Sequence, residues 1–151
     1  MNLSEHFTLE EMTSSQTAVR SGIDNSAPPE IVERLKVLCE GLEKVRHALG
    51  DRPITISSGY RCPALNRAVG GAVASAHMQG YAADIECPAF GDPYAVCQAI
   101  KASGIRFNQM IHEYGGWCHI DFSPSLAMNE ITIFQGGGYK PGILTREQYF
   151  G

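Results

Sequence analysis

Two histidines and one aspartate in this chain have the surroundings of metal ligands. His77 lies in Ser75-Ala76-His77-Met78-Gln79-Gly80-Tyr81-Ala82-Ala83-Asp84, and His119 in Trp117-Cys118-His119-Ile120-Asp121-Phe122. Gly80 lets the backbone turn between a loop bearing His77 and a strand bearing Asp84, so both side chains can converge on one cation. Small Ala82 and Ala83 leave room for it. Two imidazoles and one carboxylate fill three tetrahedral positions and leave the fourth to water, the pattern of a catalytic rather than a structural zinc. Such an ion makes its water acidic enough to supply hydroxide near neutral pH. Spacing alone does not establish the site, because a histidine and an aspartate this far apart occur by chance in many chains. Of the other histidines, His6 and His47 lie in polar stretches and are expected at the surface. His112 alternates with Ile111 and Glu113 and can face either side of a strand.

The elements that must position these residues are read from hydrophobic period and punctuation. Thr8-Leu9-Glu10-Glu11 has capping-box spacing and starts a short helix. Residues 21–29 are turn-rich, and Pro28 or Pro29 opens the clearest helix. Its Ile31, Leu35, Leu38, Leu42, Val45 and Leu49 share one face, charged residues lie mainly away from it, and Gly50 suits its end. From Pro53 the period changes. Residues 54–57 read as a strand with a tight exit at Ser58-Gly59-Tyr60-Arg61, 63–68 as a brief helix, and 81–86 as a second strand. Asp92-Pro93 caps a helix over 94–102. Further strands are expected at 107–113, 117–122 and 131–135, the first two joined as a hairpin through Tyr114-Gly115-Gly116. This order predicts an α+β fold, a single domain over 1–151 with a central antiparallel sheet flanked by helices.

Composition bounds the partners. With 44% apolar and 19% charged residues the chain is an ordinary folded one, and a formal charge of −4 offers no basic field for phosphate backbones. Nucleic acid is not an expected partner. No stretch reaches transmembrane length, and the first residues lack a cationic patch followed by an apolar run. Synthesis in the cytoplasm without membrane insertion, as a monomer, is therefore expected. The five cysteines have no C-x-x-C spacing and are expected as reduced, buried thiols. Cys118 adjoins His119, but neighbours in an extended strand point to opposite faces, so it is not counted as a ligand.

The motif S-x-H-x-x-G-x-A-x-D, complete at Ser75, His77, Gly80, Ala82 and Asp84, resembles that of the zinc D-alanyl-D-alanine carboxypeptidases. These share a hedgehog-like fold with vancomycin-resistance dipeptidases and phage endolysins. Ser58-Gly59-Tyr60-Arg61-Cys62-Pro63, Leu65-Asn66 and Val69-Gly70-Gly71 are similar to the family, especially its small phage-encoded members. So is the opening Leu3-Ser4-x-His6-Phe7-Thr8-Leu9-x-Glu11. The resemblance implies one zinc per chain on His77, Asp84 and His119, and a peptidase acting on peptidoglycan stem peptides. It implies that Arg61 stabilises the developing oxyanion, and that Ser75 either binds a substrate carboxylate or holds the His77 loop.

Many relatives carry an acidic residue or a histidine three positions before the last zinc histidine, where this chain has Gly116. Glu113 and Asp121 are the nearest carboxylates. In a hairpin Glu113 comes close to the open metal position, and the small phage-type members have a similar arrangement, with Gln109 and Glu113 ahead of a Trp-x-His. Glu113 is thus the expected base, while Asp121 shares a face with His119 and is suited to orienting a ligand. The expected setting is a phage or prophage lysin reaching the wall through a membrane lesion, or a virion component. The alternative is a zinc-containing wall-binding or structural module without turnover, to which Gly116 lends weight.

Overall fold

A computed structural model describes residues 1–151. The periodic stretch after Pro28 forms a helix over Pro29–Ala48, with Ile31, Leu35, Leu38, Leu42 and Val45 all buried. Full burial of each Leu contributes about 1.5–3 kcal/mol, so this face is a major anchor of the fold. Two short helices precede it: α1 (Leu9–Thr13), closed by the reciprocal Thr8/Glu11 capping box, and α2 (Gln16–Ser21). The long helix is α3. Then follow β1 (Thr55–Ser58), α4 (Pro63–Ala68), a 3-10 turn over Ala76–Gln79, β2 (Ala82–Glu86) and α5 (Pro93–Ser103). The chain ends with β3 (Gln109–Glu113), β4 (Trp117–Asp121), β5 (Asn129–Ile133), β6 (Lys140–Pro141) and α6 (Arg146–Phe150).

The six strands form one sheet in the order β1-β2-β4-β3-β5-β6. The fold is α+β as expected, but the sheet is mixed: β5 runs parallel to β3, whereas the other four pairs are antiparallel. Connectivity explains the departure. Both edges of β4 are occupied, by β2 and β3, so the chain leaving β4 can add only beyond β3. It starts from the end of the sheet where β3 also starts, and therefore runs in the same direction. The 114–116 hairpin forms as expected, with Tyr114 and Gly115 both at positive φ. Strand limits shift by one to two residues, and α2, β6 and α6 lie where no element was expected.

Alternation along the strands divides the sheet into two faces. Ala83, Ile85, Met110, Cys118 and Ile120 enter one core cluster of 23 residues with the buried faces of α3 and α5. Gly41 of α3 lies against the Phe122 ring, where any added carbon would collide with it. Asp84, Ile111, Glu113, Trp117 and His119 occupy the opposite face, since Asp84 pairs with His119, Ile111 with His119, and Glu113 with Trp117. The free cysteines fit this division. Cys39, Cys87, Cys97 and Cys118 are buried, and half-buried Cys62 caps α4 through Sγ, which accepts from the Leu65 amide.

Candidate metal centre

His119 and Asp84 are direct cross-strand partners on β4 and β2. His119 Nδ1 lies 3.0 Å from Asp84 Oδ1. His77 comes from the 3-10 turn that Ser75 caps and Gly80 ends in the left-handed region at φ 82°. Its Nδ1 donates to the Gly59 carbonyl at 2.8 Å, and its Nε2 lies 3.2 Å from the same Asp84 oxygen. A hydrogen bond on the distal nitrogen is what holds a ligating imidazole in one tautomer and orientation. All three side chains are buried, and their donor atoms lie within 4.8 Å of one another. Donors about 2.0–2.2 Å from a tetrahedral zinc stand about 3.3–3.6 Å apart, so a zinc ion fits this set with little movement.

Burial opposes charge on Asp84, but hydrogen bonds from His119 and His77 outweigh it and hold the carboxyl well below the ordinary range. Burial likewise opposes a charged His119, and Asp84 outweighs it, so the imidazole is raised. Asp84 thus supplies an ionised carboxylate between two imidazoles, a donor set that suits zinc.

Glu113 ends β3 beside these ligands, with Oε1 3.8 Å from His119 Nδ1. Burial and the neighbouring Asp84 carboxylate push its own carboxyl up to about 6. Asp121 lies elsewhere. Its Oδ2 accepts from the Asn108 amide at 3.0 Å, and its Oδ1 from the Ser123 backbone N–H and hydroxyl at 2.8 and 2.6 Å. That carboxylate anchors the turn after β4 rather than orienting His119, although it shares the face. Gly116 sits at the hairpin tip.

Arg61 stands on the other side of the centre. Its Nη2 donates to Ser75 Oγ at 3.2 Å, and Nε is buried with no hydrogen-bond partner. Burial lowers its pKa, countered by the Asp84 and Glu113 carboxylates. Ser75 Oγ also accepts from the His77 amide at 3.2 Å, so this one hydroxyl ties the His77 turn to the arginine. The loop carrying Arg61 is fixed at several points. Tyr60 N–H donates to the Met12 carbonyl, and Arg61 N–H to that of His77. Buried Asn25 uses its whole carboxamide here: Nδ2 donates to the Thr13 and Tyr60 carbonyls, and Oδ1 accepts from the Cys62 amide. Gly59 packs so closely on the Met12 carbonyl that no side chain fits.

The expected ligands, Arg61, Ser75 and Glu113 thus converge on one face. Ala82 shares that face, whereas Ala83 enters the core and makes no room for an ion. His112 faces away; its Nδ1 donates to the Leu144 carbonyl at 2.9 Å. His6 meets Glu43 at 2.7 Å, and His47 is exposed. The roles of Asn25 and of the Gly59 carbonyl were missed, because their partners lie far away in sequence and turn-rich composition carries no trace of them.

Residues 5–121 match the sequence profile of the family described as peptidase M15, and the chain belongs to that family. Among curated proteins it is similar to the zinc D-Ala-D-Ala carboxypeptidase of Streptomyces albus G, 44% identical over 63 residues. That stretch is 42% of this chain and 24% of the relative, so the chain spans about a quarter of the protein it matches. No helix is long and apolar enough to cross a membrane.

Proposed function

We propose that this chain is a zinc peptidase hydrolysing peptide bonds in the stem peptides of bacterial peptidoglycan, as a D-Ala-D-Ala carboxypeptidase or an endopeptidase. The observation that carries the reading is the convergence of His77 Nε2, Asp84 Oδ1 and His119 Nδ1 beside a carboxyl raised to about 6, in a chain of the M15 peptidase family. The named relative supports the metal and the substrate class. A zinc ion held by these three residues supplies Lewis acidity, polarising a carbonyl and acidifying a water. Glu113 takes a proton from the attacking water and delivers it to the leaving nitrogen, a task that favours a carboxyl with a pKa near the working pH. Arg61 donates to the oxygen that becomes negative as the carbonyl is attacked. Ser75 holds the arginine and the His77 turn together.

A phage or prophage lysin, or a wall-opening virion component, is the setting that the Leu3–Glu11 and Ser58–Gly71 motifs support. A zinc module without turnover would keep the three ligands but has no need of a raised carboxyl beside them. Digestion of purified peptidoglycan by zinc-loaded and chelated protein, read by mass spectrometry, tests the proposal. New peptide termini with the loaded protein alone are expected; an unchanged fragment pattern with both would refute it.

A further inference from the structure

β1 is an edge strand. Apart from its pairing with β2, no backbone N–H or C=O of Thr55–Ser58 bonds any other segment. α1 packs against one end of it, where Gly59 meets Met12. A groove of about 500 Å³ runs beside it, walled by Ile56, Ser57 and Ser58 on one side and by Thr17 and Arg20 on the other, and reaching Arg61. An open strand edge is a template for another extended backbone, and some peptide-binding domains use such an edge to take up a peptide as an added strand.

The groove also has a charge preference. Its lining includes Arg20 and Arg61 and no acidic residue, in a chain of formal net charge −4. Arg61 Nε is buried and unpartnered, leaving a donor unused where β1 leads into the metal centre. Ser58 pairs with Asp84, so the Arg61 end of the groove lies one strand away from a residue of the metal centre. A bulge between Ile56 and Ser58 lets the Ser57 hydroxyl bond the Asp84 carbonyl at 3.2 Å, which couples the edge to the strand carrying the ligand.

We infer that the outer edge of β1 and the groove beside it form a peptide subsite, in which an extended, carboxylate-bearing peptide adds to the sheet and sets a carboxylate against Arg20. The subsite rests on the peptidase reading for its purpose, but its occupancy is measured independently of turnover. It makes the enzyme selective for length: a stem pentapeptide fills the groove, whereas a blocked D-Ala-D-Ala dipeptide reaches only the metal.

Hydrogen exchange on zinc-loaded Glu113→Gln protein, with and without the soluble stem pentapeptide, reads the edge directly. Amides in 55–58 should exchange about tenfold more slowly with peptide present, and N-methylation of the peptide backbone should abolish the effect. On the otherwise wild-type enzyme, Arg20→Ala should raise KM for the pentapeptide about tenfold with kcat kept, and leave the dipeptide unaffected. Protection confined to 75–84 and 113–119 would overturn the subsite. So would an equal effect of Arg20→Ala on both substrates, or protection that depends on protein concentration and marks β1 as a contact between copies. If the wild-type enzyme turns over neither substrate, the peptidase reading fails, while the exchange result still decides the subsite.

Discussion

Glu113 and His119 face each other across the β3–β4 hairpin, Oε1 to Nδ1 at 3.8 Å, although they pair with Trp117 and Ile111 rather than with one another. This diagonal places a carboxyl beside the candidate metal ligands without making it one of them. Glu113→Gln should therefore retain zinc and fold while losing about two to four orders of magnitude in turnover. Asp121→Asn is the matched comparison, since that carboxylate serves the turn at Ser123; it should lower thermal stability and leave most activity. An active, zinc-loaded Glu113→Gln beside a dead, zinc-loaded Asp121→Asn would reverse the roles.

Zinc content should follow the three ligands. His77→Ala and His119→Ala each leave two protein donors, below the three of catalytic sites, so bound metal and activity should both fall strongly. Elemental analysis after gel filtration checks this. Because zinc binds the folded chain, adding it to chelated wild type should raise the melting temperature, and the rise should vanish in both variants.

The chelated protein should show a pH signature at Glu113. A carboxyl raised from 4.5 to about 6 means that the folded state holds its proton more tightly than the unfolded one. Stability then falls as pH rises between those values and is level above them. Glu113→Gln removes this loss, so the variant should exceed wild type by at most about 2 kcal/mol above pH 6 and lose its advantage below about pH 4.5. Urea titrations with chelator present at several pH values would show it; an advantage independent of pH would contradict it.

Asn25 should matter more than its position in a turn suggests. Asn25→Ala strands the Thr13 and Tyr60 carbonyls and the Cys62 amide, at a cost of about 2–4 kcal/mol. It also frees the loop holding Arg61. The expected outcome is lower kcat with zinc content retained, and the two measurements on one sample separate loop positioning from metal loss.

Reduction should change nothing. All five cysteines are free thiols, so dithiothreitol should leave the melting temperature in place, and denatured, unreduced protein should titrate five thiols. A large drop on reduction would show a cross-link.

The long helix was legible because its apolar spacing is sustained from Ile31 to Val45, and the hairpin because two alternating runs flank Gly115-Gly116. Two of the three candidate ligands, His77 and Asp84, became legible through the complete motif from Ser75 to Asp84, whose Gly80 does supply the turn. The parallel placement of β5 was not legible. It follows from which strand edges remain vacant, a property of the assembled sheet rather than of residues 129–133. The alternation rule separated Cys118 from His119 correctly, yet grouping Ala82 with Ala83 overlooked the same rule. A shared face also failed to reveal what Asp121 touches, because that depends on where the following turn brings Ser123.

β4 presents Trp117 and His119 to one side while Cys118 and Ile120 fill the core on the other. Five consecutive residues thus serve two masters, and their order is the only thing keeping them apart. Inserting or deleting one residue between 117 and 121 would turn the imidazole into the oil and an isoleucine toward the ion, ruining catalysis and stability together. Length changes in this strand are forbidden in a way that substitutions at Cys118 are not. A library that repacks the core from behind, at Cys97, Met110 and Cys118, can explore new interiors while the chemistry on the far side stays untouched.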